Sequence, residues 1–335
     1  NYEKEKNSVQ IARYNLQKIE QDVLLESADA YLGTLLAQNK VDIYKDTLSL
    51  SEKQVELDKS RLDRGIITIA DLAQSESALA AVQSSLLSAE NDFLISKKSF
   101  KNAIGYEPVD LKEVDNLTLN LPKSLEESII YLQKDNPILK IAEFSLKKAE
   151  SDYKSSVAEL SPTFSLSYNI TDYDGYSTSL DKTKQQVAKA QASIPLYQGG
   201  TQTSIISQKR ALLDGADLDL QTAKNTVDKD AYSAWSSYKL AISNFELSKL
   251  RLKASEMAYE GISQEYESGS RSTLEVITSR AALLDSRINF AGVMLRGFAV
   301  NITAGADPKE NPYIINRSLV SPFDFSHCKE ASTSL

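Results

Sequence analysis

The sequence predicts a mainly α protein with a small β part: very long coiled-coil helical hairpins in two repeats, with one β-hairpin between them. Three observations carry this prediction. From Leu220 to Tyr266, seam residues recur three and four positions apart (Leu220, Ala223, Val227, Ala231, Ala234, Tyr238, Ala241, Phe245, Ser248, Leu252, Ser255, Tyr259, Ile262, Tyr266). That spacing is the narrow seam of a left-handed coiled coil, of period about 3.5. The seam stops at Ser268-Gly269-Ser270-Arg271-Ser272 and a second begins with Val276, Ser279, Leu283, Ser286, Phe290 and Val293, so the segment is a helical hairpin with a glycine turn. Second, the hairpin occurs twice. Gly65 stands 204 residues before Gly269, and the same shift carries the first seam onto Leu16, Ile19, Val23, Val41, Leu48, Ser51, Val55 and Asp58 and the second onto Leu72, Ser75, Leu79, Val82, Leu86 and Ala89. A long internal repeat outweighs any local motif. Third, residues near 162–197 change from helical period to strict alternation.

The elements follow in order. Residues Gln10 to Arg64 lack proline and read as one helix, on the order of 80 Å long at the α-helical rise. Arg64 to Ile67 makes the turn, and Thr68…Asp71 is a capping box that starts the returning helix. That helix runs to Ala103 and stops at Gly105. Tyr106 to Lys123, with Pro108 and Pro122, reads as an irregular connection. Ser124…Glu127 is another capping box, opening a short helix that ends near Asp135-Asn136-Pro137. A further helix runs from Pro137, well placed at a first turn, to Leu160. From Pro162, Phe164, Leu166, Tyr168 and Ile170 share one face and Ser165, Ser167, Asn169 and Thr171 the other. Asp172 to Lys184 reads as a polar loop. Alternation resumes with Ala188, Ala190, Ala192, Ile194 and Leu196, opposite Lys189, Gln191 and Ser193, and ends at Tyr197-Gln198-Gly199-Gly200. The domain boundaries are 1–105 for the first repeat, 106–123 for the connection, 124–305 for the second repeat (β-hairpin 162–197, helical hairpin 201–305) and 306–335 for a tail.

Composition narrows the function. The net charge of −8 argues against a nucleic-acid partner, which needs a basic face. One cysteine (Cys328) and one histidine (His327) exclude an internal disulfide or a Cys/His metal site within one chain, and no cofactor is expected. No Ser/His/acid set can be built around that tail histidine, and Gly199-Gly200 lacks the lysine of a phosphate loop, so the chain does not read as an enzyme. No apolar run is long enough for a membrane-spanning helix. A strand apolar on one side and polar on the other fits a transmembrane barrel, and Tyr168, Tyr173, Tyr176 and Tyr197 suit the headgroup level.

Asn136-Pro137-Ile138-Leu139 with Leu160-Ser161-Pro162-Thr163, the strand exit Ile194-Pro195-Leu196-Tyr197-Gln198-Gly199-Gly200 and the tip Tyr266 to Val276 resemble the TolC-like outer-membrane efflux proteins over residues 10–305. The resemblance implies a homotrimer in the Gram-negative outer membrane. Its chains share a β-barrel, set in outer-membrane lipid, and a periplasmic α-barrel tunnel. It implies an exit duct for tripartite efflux or type I secretion, working with a periplasmic adaptor (membrane fusion) protein and an inner-membrane pump of ABC or RND type. Phe164, Leu166, Tyr168, Ile170, Ala190, Ala192, Ile194 and Leu196 would face the membrane. Arg64, Gly65, Gly269 and Ser270 would form the adaptor-docking tips. Tyr266 and Arg271 match the family's tip tyrosine and arginine, Asp71 the acid they bond to, and Glu275 the first of two acids ringing the pore. The second falls at Thr278, which carries no charge and weakens a double acidic ring, and Ala70 replaces a polar family residue, which takes away one of the gate hydrogen bonds the resemblance implies. The family has a strand hairpin in each repeat. The expectation is therefore that the sequence is part of a longer precursor, lacking its first helix, first two strands and signal peptide.

Two readings stay open at the tips: Asp71 and Glu275 are equally explained as helix caps, and Tyr266 as seam packing. Trp235 and its repeat partner Tyr31 read as packing aromatics. The alternative for the whole chain is a soluble coiled-coil scaffold without a pore.

Overall fold

The computed structural model describes residues 2–109, 111, 124–177 and 180–304. Most of the expected 106–123 connection, Gly305 and the tail with His327 and Cys328 lie outside the described residues.

Eight elements are described: α1 (Tyr2–Asp63), α2 (Ile69–Ile104), α3 (Leu125–Asp135), α4 (Pro137–Ala158), β1 (Thr163–Ser177), β2 (Leu180–Ser193), α5 (Thr201–Glu267) and α6 (Thr273–Ala304). α1 begins at Tyr2 rather than Gln10; nothing in that stretch breaks a helix, and Glu3 and Glu5 complement its N-terminal dipole. The chain forms two compact units, residues 1–17 with 136–227 and residues 18–135 with 228–335.

In the first unit, Tyr14 stacks on Phe144 with ring centroids 5.7 Å apart, and Lys4 pairs with Asp152 at 2.9 Å. Asn136 caps α4, its side chain accepting from the Ile138 N–H, with Pro137 at the first turn. The strands pair antiparallel from Thr163↔Ser193 through Asp174↔Lys182, with an irregularity before Ser177↔Leu180. The expected loop 172–184 is therefore corrected: apart from residues 178 and 179, which are not described, it is strand. Polar residues alternate as well as apolar ones, and Asp172 opposite Lys184 is a favourable cross-strand pairing. β2 stops at Ser193, four residues short of Tyr197, because Pro195 has no N–H for a ladder. Ile194 and Leu196 thus lie beyond the strand, correcting their assignment as strand residues. Phe164, Leu166, Tyr168 and Ile170 share one face and are exposed (Leu166 at 83%).

The second unit is helical. Its apolar centre is Ala28, Tyr31, Leu32, Leu35, Phe100 and Leu295, with the Tyr31 and Phe100 rings 6.4 Å apart. The seams of α5 and α6 meet as expected: Phe245 lies 5.7 Å from Phe290 between centroids, and the Ser255 and Ser286 hydroxyls are 2.9 Å apart. Val276 and Leu283 are buried, whereas Ile19 and Val23 of the predicted α1 seam are exposed, because no described element of this unit covers that face.

Both hairpin turns close with one backbone pattern. Gly65 N–H donates to Leu62 O (2.8 Å) and Ile66 N–H to Arg61 O (2.9 Å); Gly269 N–H donates to Tyr266 O (2.9 Å) and Ser270 N–H to Glu265 O (2.8 Å). This is the Schellman ending, which needs a left-handed residue, and Gly65 and Gly269 supply φ of 69° and 84°. A Cβ at either glycine meets nothing within 4 Å. Gly65→Ala and Gly269→Ala are therefore expected to destabilise by backbone strain alone, about 1–2 kcal/mol each. Denaturant unfolding checks this; unchanged midpoints would contradict it.

Candidate functional site: the hairpin tips

The two glycine turns lie in the helical unit, joined by a buried polar network. Asp58 on α1 is fully buried. Its carboxylate accepts from Gln54 Nε2 at 2.9 Å, from the Ser75 hydroxyl on α2 and from the Tyr266 hydroxyl on α5. A buried carboxylate is tolerated only when donors surround it, and here they come from three helices. One turn further along α1, Arg61 places its guanidinium 4.1 Å from the Tyr266 ring centroid. Its Nη2 donates to Tyr266 O (2.9 Å), which also accepts the Gly269 N–H, and to Glu267 O (3.0 Å), both carbonyls of the last turn of α5. On α6, Arg280 donates to Ser51 Oγ and Gln54 Oε1, both at 3.1 Å, and faces the Tyr259 ring at 5.9 Å. Its buried Nε has no hydrogen-bond partner among the described residues. Thr273 Oγ1 lies 3.2 Å from the Tyr266 hydroxyl. Burial, and then the bond to Asp58, push the Tyr266 phenol above its ordinary pKa, so it remains a donor.

The exposed shell is different. Asp71 closes its capping box with Thr68: Thr68 N–H and Oγ1 donate to Oδ2 at 2.9 and 2.8 Å, and Asp71 N–H donates back at 3.2 Å. These bonds hold the Asp71 carboxyl below the usual carboxylate range. Glu275 does the same with Ser272, whose N–H and Oγ donate to Oε2, both at 2.9 Å. Its other oxygen, Oε1, takes Arg271 Nη1 at 2.7 Å, while Arg271 Nε donates to Glu265 at 2.6 Å. The Ser272 N–H first, then Arg271, depress the Glu275 carboxyl to about 2. Arg64, Gly65, Gly269 and Ser270 are all exposed, beside the exposed apolar side chains of Ile66, Ile69 and Leu274.

The tip residues read from the sequence are thus placed as follows. Arg271 and Glu275 come together. Neither Arg271 nor Tyr266 bonds Asp71 within one chain; the acid that takes the Tyr266 hydroxyl is Asp58. Thr278 donates only to the Glu275 carbonyl, at 3.0 Å. The sequence places Asp58 and Ser75 in the seams without assigning them to the tip, and gives Gln54, Arg61 and Arg280 no role. The available signal was the polar interruption of the seams at Ser51, Asp58 and Ser75. Among the described residues no group of His, Cys, Asp and Glu could hold a metal ion.

Long paired helices, a strand hairpin with one uncovered apolar face and two glycine-closed tips define a mainly α class built on long helical hairpins with one β-hairpin. The family model for "Outer membrane efflux protein" matches residues 1–106 and 131–296, and the chain belongs to that family, which is TolC-like. It is 23% identical over 277 residues to the outer membrane efflux protein BepC of Brucella suis biovar 1 (strain 1330), covering 82% of this chain and 60% of that protein. To TolC of Vibrio cholerae serotype O1 it is 22% identical over 280 residues, covering 81% and 64%. The chain therefore spans less than two thirds of the length of these relatives. The fold is similar to the Campylobacter jejuni CmeC outer membrane channel, with a TM-score of 0.80 at 15% identity over 97% of this chain and 72% of that one.

Tyr266→Phe is expected to leave the buried Asp58 carboxylate short of a donor and to cost about 1–3 kcal/mol. Thermal unfolding of the detergent-solubilised protein measures it. A wild-type transition would mean that the bond carries little.

Proposed function

We propose that the chain is the larger part of a subunit of a passive outer-membrane exit duct. Three copies would share a β-barrel and continue as a helical tunnel into the periplasm of a Gram-negative cell. Substrate would pass from an inner-membrane pump of ABC or RND type through a periplasmic adaptor to the exterior, in tripartite efflux or type I secretion. The observation that carries this reading is the β1–β2 hairpin. Phe164, Leu166, Tyr168 and Ile170, with Ala188, Ala190 and Ala192 opposite Tyr168, Leu166 and Phe164, give one strand face that is apolar and uncovered. Lipid is a solvent that favours such a face, and its backbone edges would be closed by copies and by further strands. A soluble scaffold would leave the same face against water.

The tips would carry the contact with the adaptor. Exposed Ile66, Ile69 and Leu274 beside Arg64 and Ser270 suit a protein partner, here the adaptor. Arg64→Glu with Ser270→Trp is expected to abolish export without loss of membrane insertion, because both side chains are exposed and neither is needed for the turns. Drug-susceptibility and secretion assays on cells carrying the full-length variant test this. Normal export would remove the tips from docking.

In the closed tip, three Glu275 carboxylates would line a narrow aqueous constriction and favour cations. The depressed pKa of about 2 sets the pH dependence. A carboxyl depressed on folding contributes stability that is full above its ordinary value and is lost as pH falls towards about 2. The ring charge follows the same window. Cation preference in planar bilayers is expected to hold from pH 7 to about pH 4, and Glu275→Gln to lose it at every pH. Equal selectivity of Glu275→Gln and wild type would leave Glu275 as a helix cap alone.

A further inference from the structure

Among the described residues, the polar face of the β-hairpin carries one charge, Lys189, with no acid directly across from it. Lys189 stands opposite Ser167, with Ser165, Asn169, Val187 and Gln191 around it on that face. The other lysines of the hairpin whose register is fixed, Lys182 and Lys184, share the opposite face, and each stands directly across from an acid, Asp174 and Asp172. The contrast follows from strand period: residues 182 and 184 share a face, and 189 falls on the other. Lys189 is exposed and makes no ion pair among the described residues. The nearest strand acid by register, Asp172, projects from the other side of the sheet.

The inference rests on the duct reading above. If the apolar face meets lipid, the face bearing Lys189 lines the lumen, where substitutions tune selectivity. We propose that Lys189 is a specificity-determining residue of the barrel: three copies form a cationic ring that draws anionic solutes into the exit half of the duct. The entrance carries the opposite sign at Glu275. The duct thus presents a negative field where cargo enters and a positive one where it leaves. Among the described residues the register sets Ser167 across from Lys189, whereas it sets Asp172 across from Lys184.

The test is ion selectivity of full-length channels in planar bilayers under a KCl gradient at low salt. It is run on the wild type and with Glu275→Gln, which removes the entrance charge. Lys189→Gln is expected to raise the potassium-to-chloride permeability ratio about two-fold, the size that Coulomb's law gives for a unit charge about 10 Å away in water. Lys189→Glu should raise it further, and Lys189→Arg, which keeps the charge, should leave it unchanged. In 1 M KCl, where the Debye length is about 3 Å, the differences should vanish. Channels of normal conductance whose ratio is the same for Lys189→Glu and wild type at low salt would overturn the proposal and leave the duct intact. Absence of channels from the wild type would overturn the duct reading and this inference together.

Discussion

The Asp58 carboxylate is the group around which the tip has to be built. A charge this deeply buried costs several kcal/mol unless donors replace the lost water. The donors here are Gln54 from its own helix, Ser75 from the returning helix and Tyr266 from the other hairpin. Each has a fixed reach, so the carboxylate sets the register of α1, α2 and α5 against one another. A slide of one helix by a residue would remove a donor and leave the carboxylate unmatched. Arg61 then fastens the end of α5 by donating to the carbonyls of Tyr266 and Glu267 in its last turn, and Arg280 extends the network to α6 through Gln54 and Ser51. The positions of Gly65 and Gly269, and of the cap acids beyond them, follow from this buried joint.

Outside the joint the energetics change. The Arg271 pairs to Glu265 and Glu275 are short but exposed, and such pairs contribute about 0–1 kcal/mol. The tip thus separates two tasks. Buried hydrogen bonds fix geometry, while exposed charges would, in the duct proposed above, set the field seen by a solute. Exposed charges can change partners cheaply; the buried ones cannot. A tip that rearranges would keep the Asp58 joint and exchange the Arg271 contacts.

The repeat, the glycine turns and the capping boxes were legible because each depends on local residues: Gly65 and Gly269 supply a left-handed angle, and Thr68 and Ser272 each meet an acid three positions on. The buried network was not legible because it sits where the repeat breaks. The 204-residue counterparts of Asp58, Arg61, Tyr266 and Arg280 are Ile262, Glu265, Leu62 and Glu76. A reading that looks for what the halves share passes over such positions. It treats Asp58 as one polar exception in an apolar seam, although the exception specifies the packing. The strand length was missed for a related reason. Asp172 and Lys184 suggest a loop when taken singly, and only the register shows them as neighbours across a ladder.

The placement of Glu275 ties the remaining features together. One of its oxygens is held by the Ser272 cap, a local bond that persists as long as α6 keeps its first turn. The other is held by Arg271, whose guanidinium also serves Glu265. With Arg271 in place, the three groups carry one net negative charge, partly neutralised at the oxygen nearest the guanidinium. Moving Arg271 away would expose the full carboxylate without unwinding the helix, because the cap and the helix dipole still stabilise it. The observed cap is therefore compatible with the pore role proposed for Glu275. The cap keeps the acid ionised and fixed in direction, and those are the two properties an electrostatic constriction requires of it.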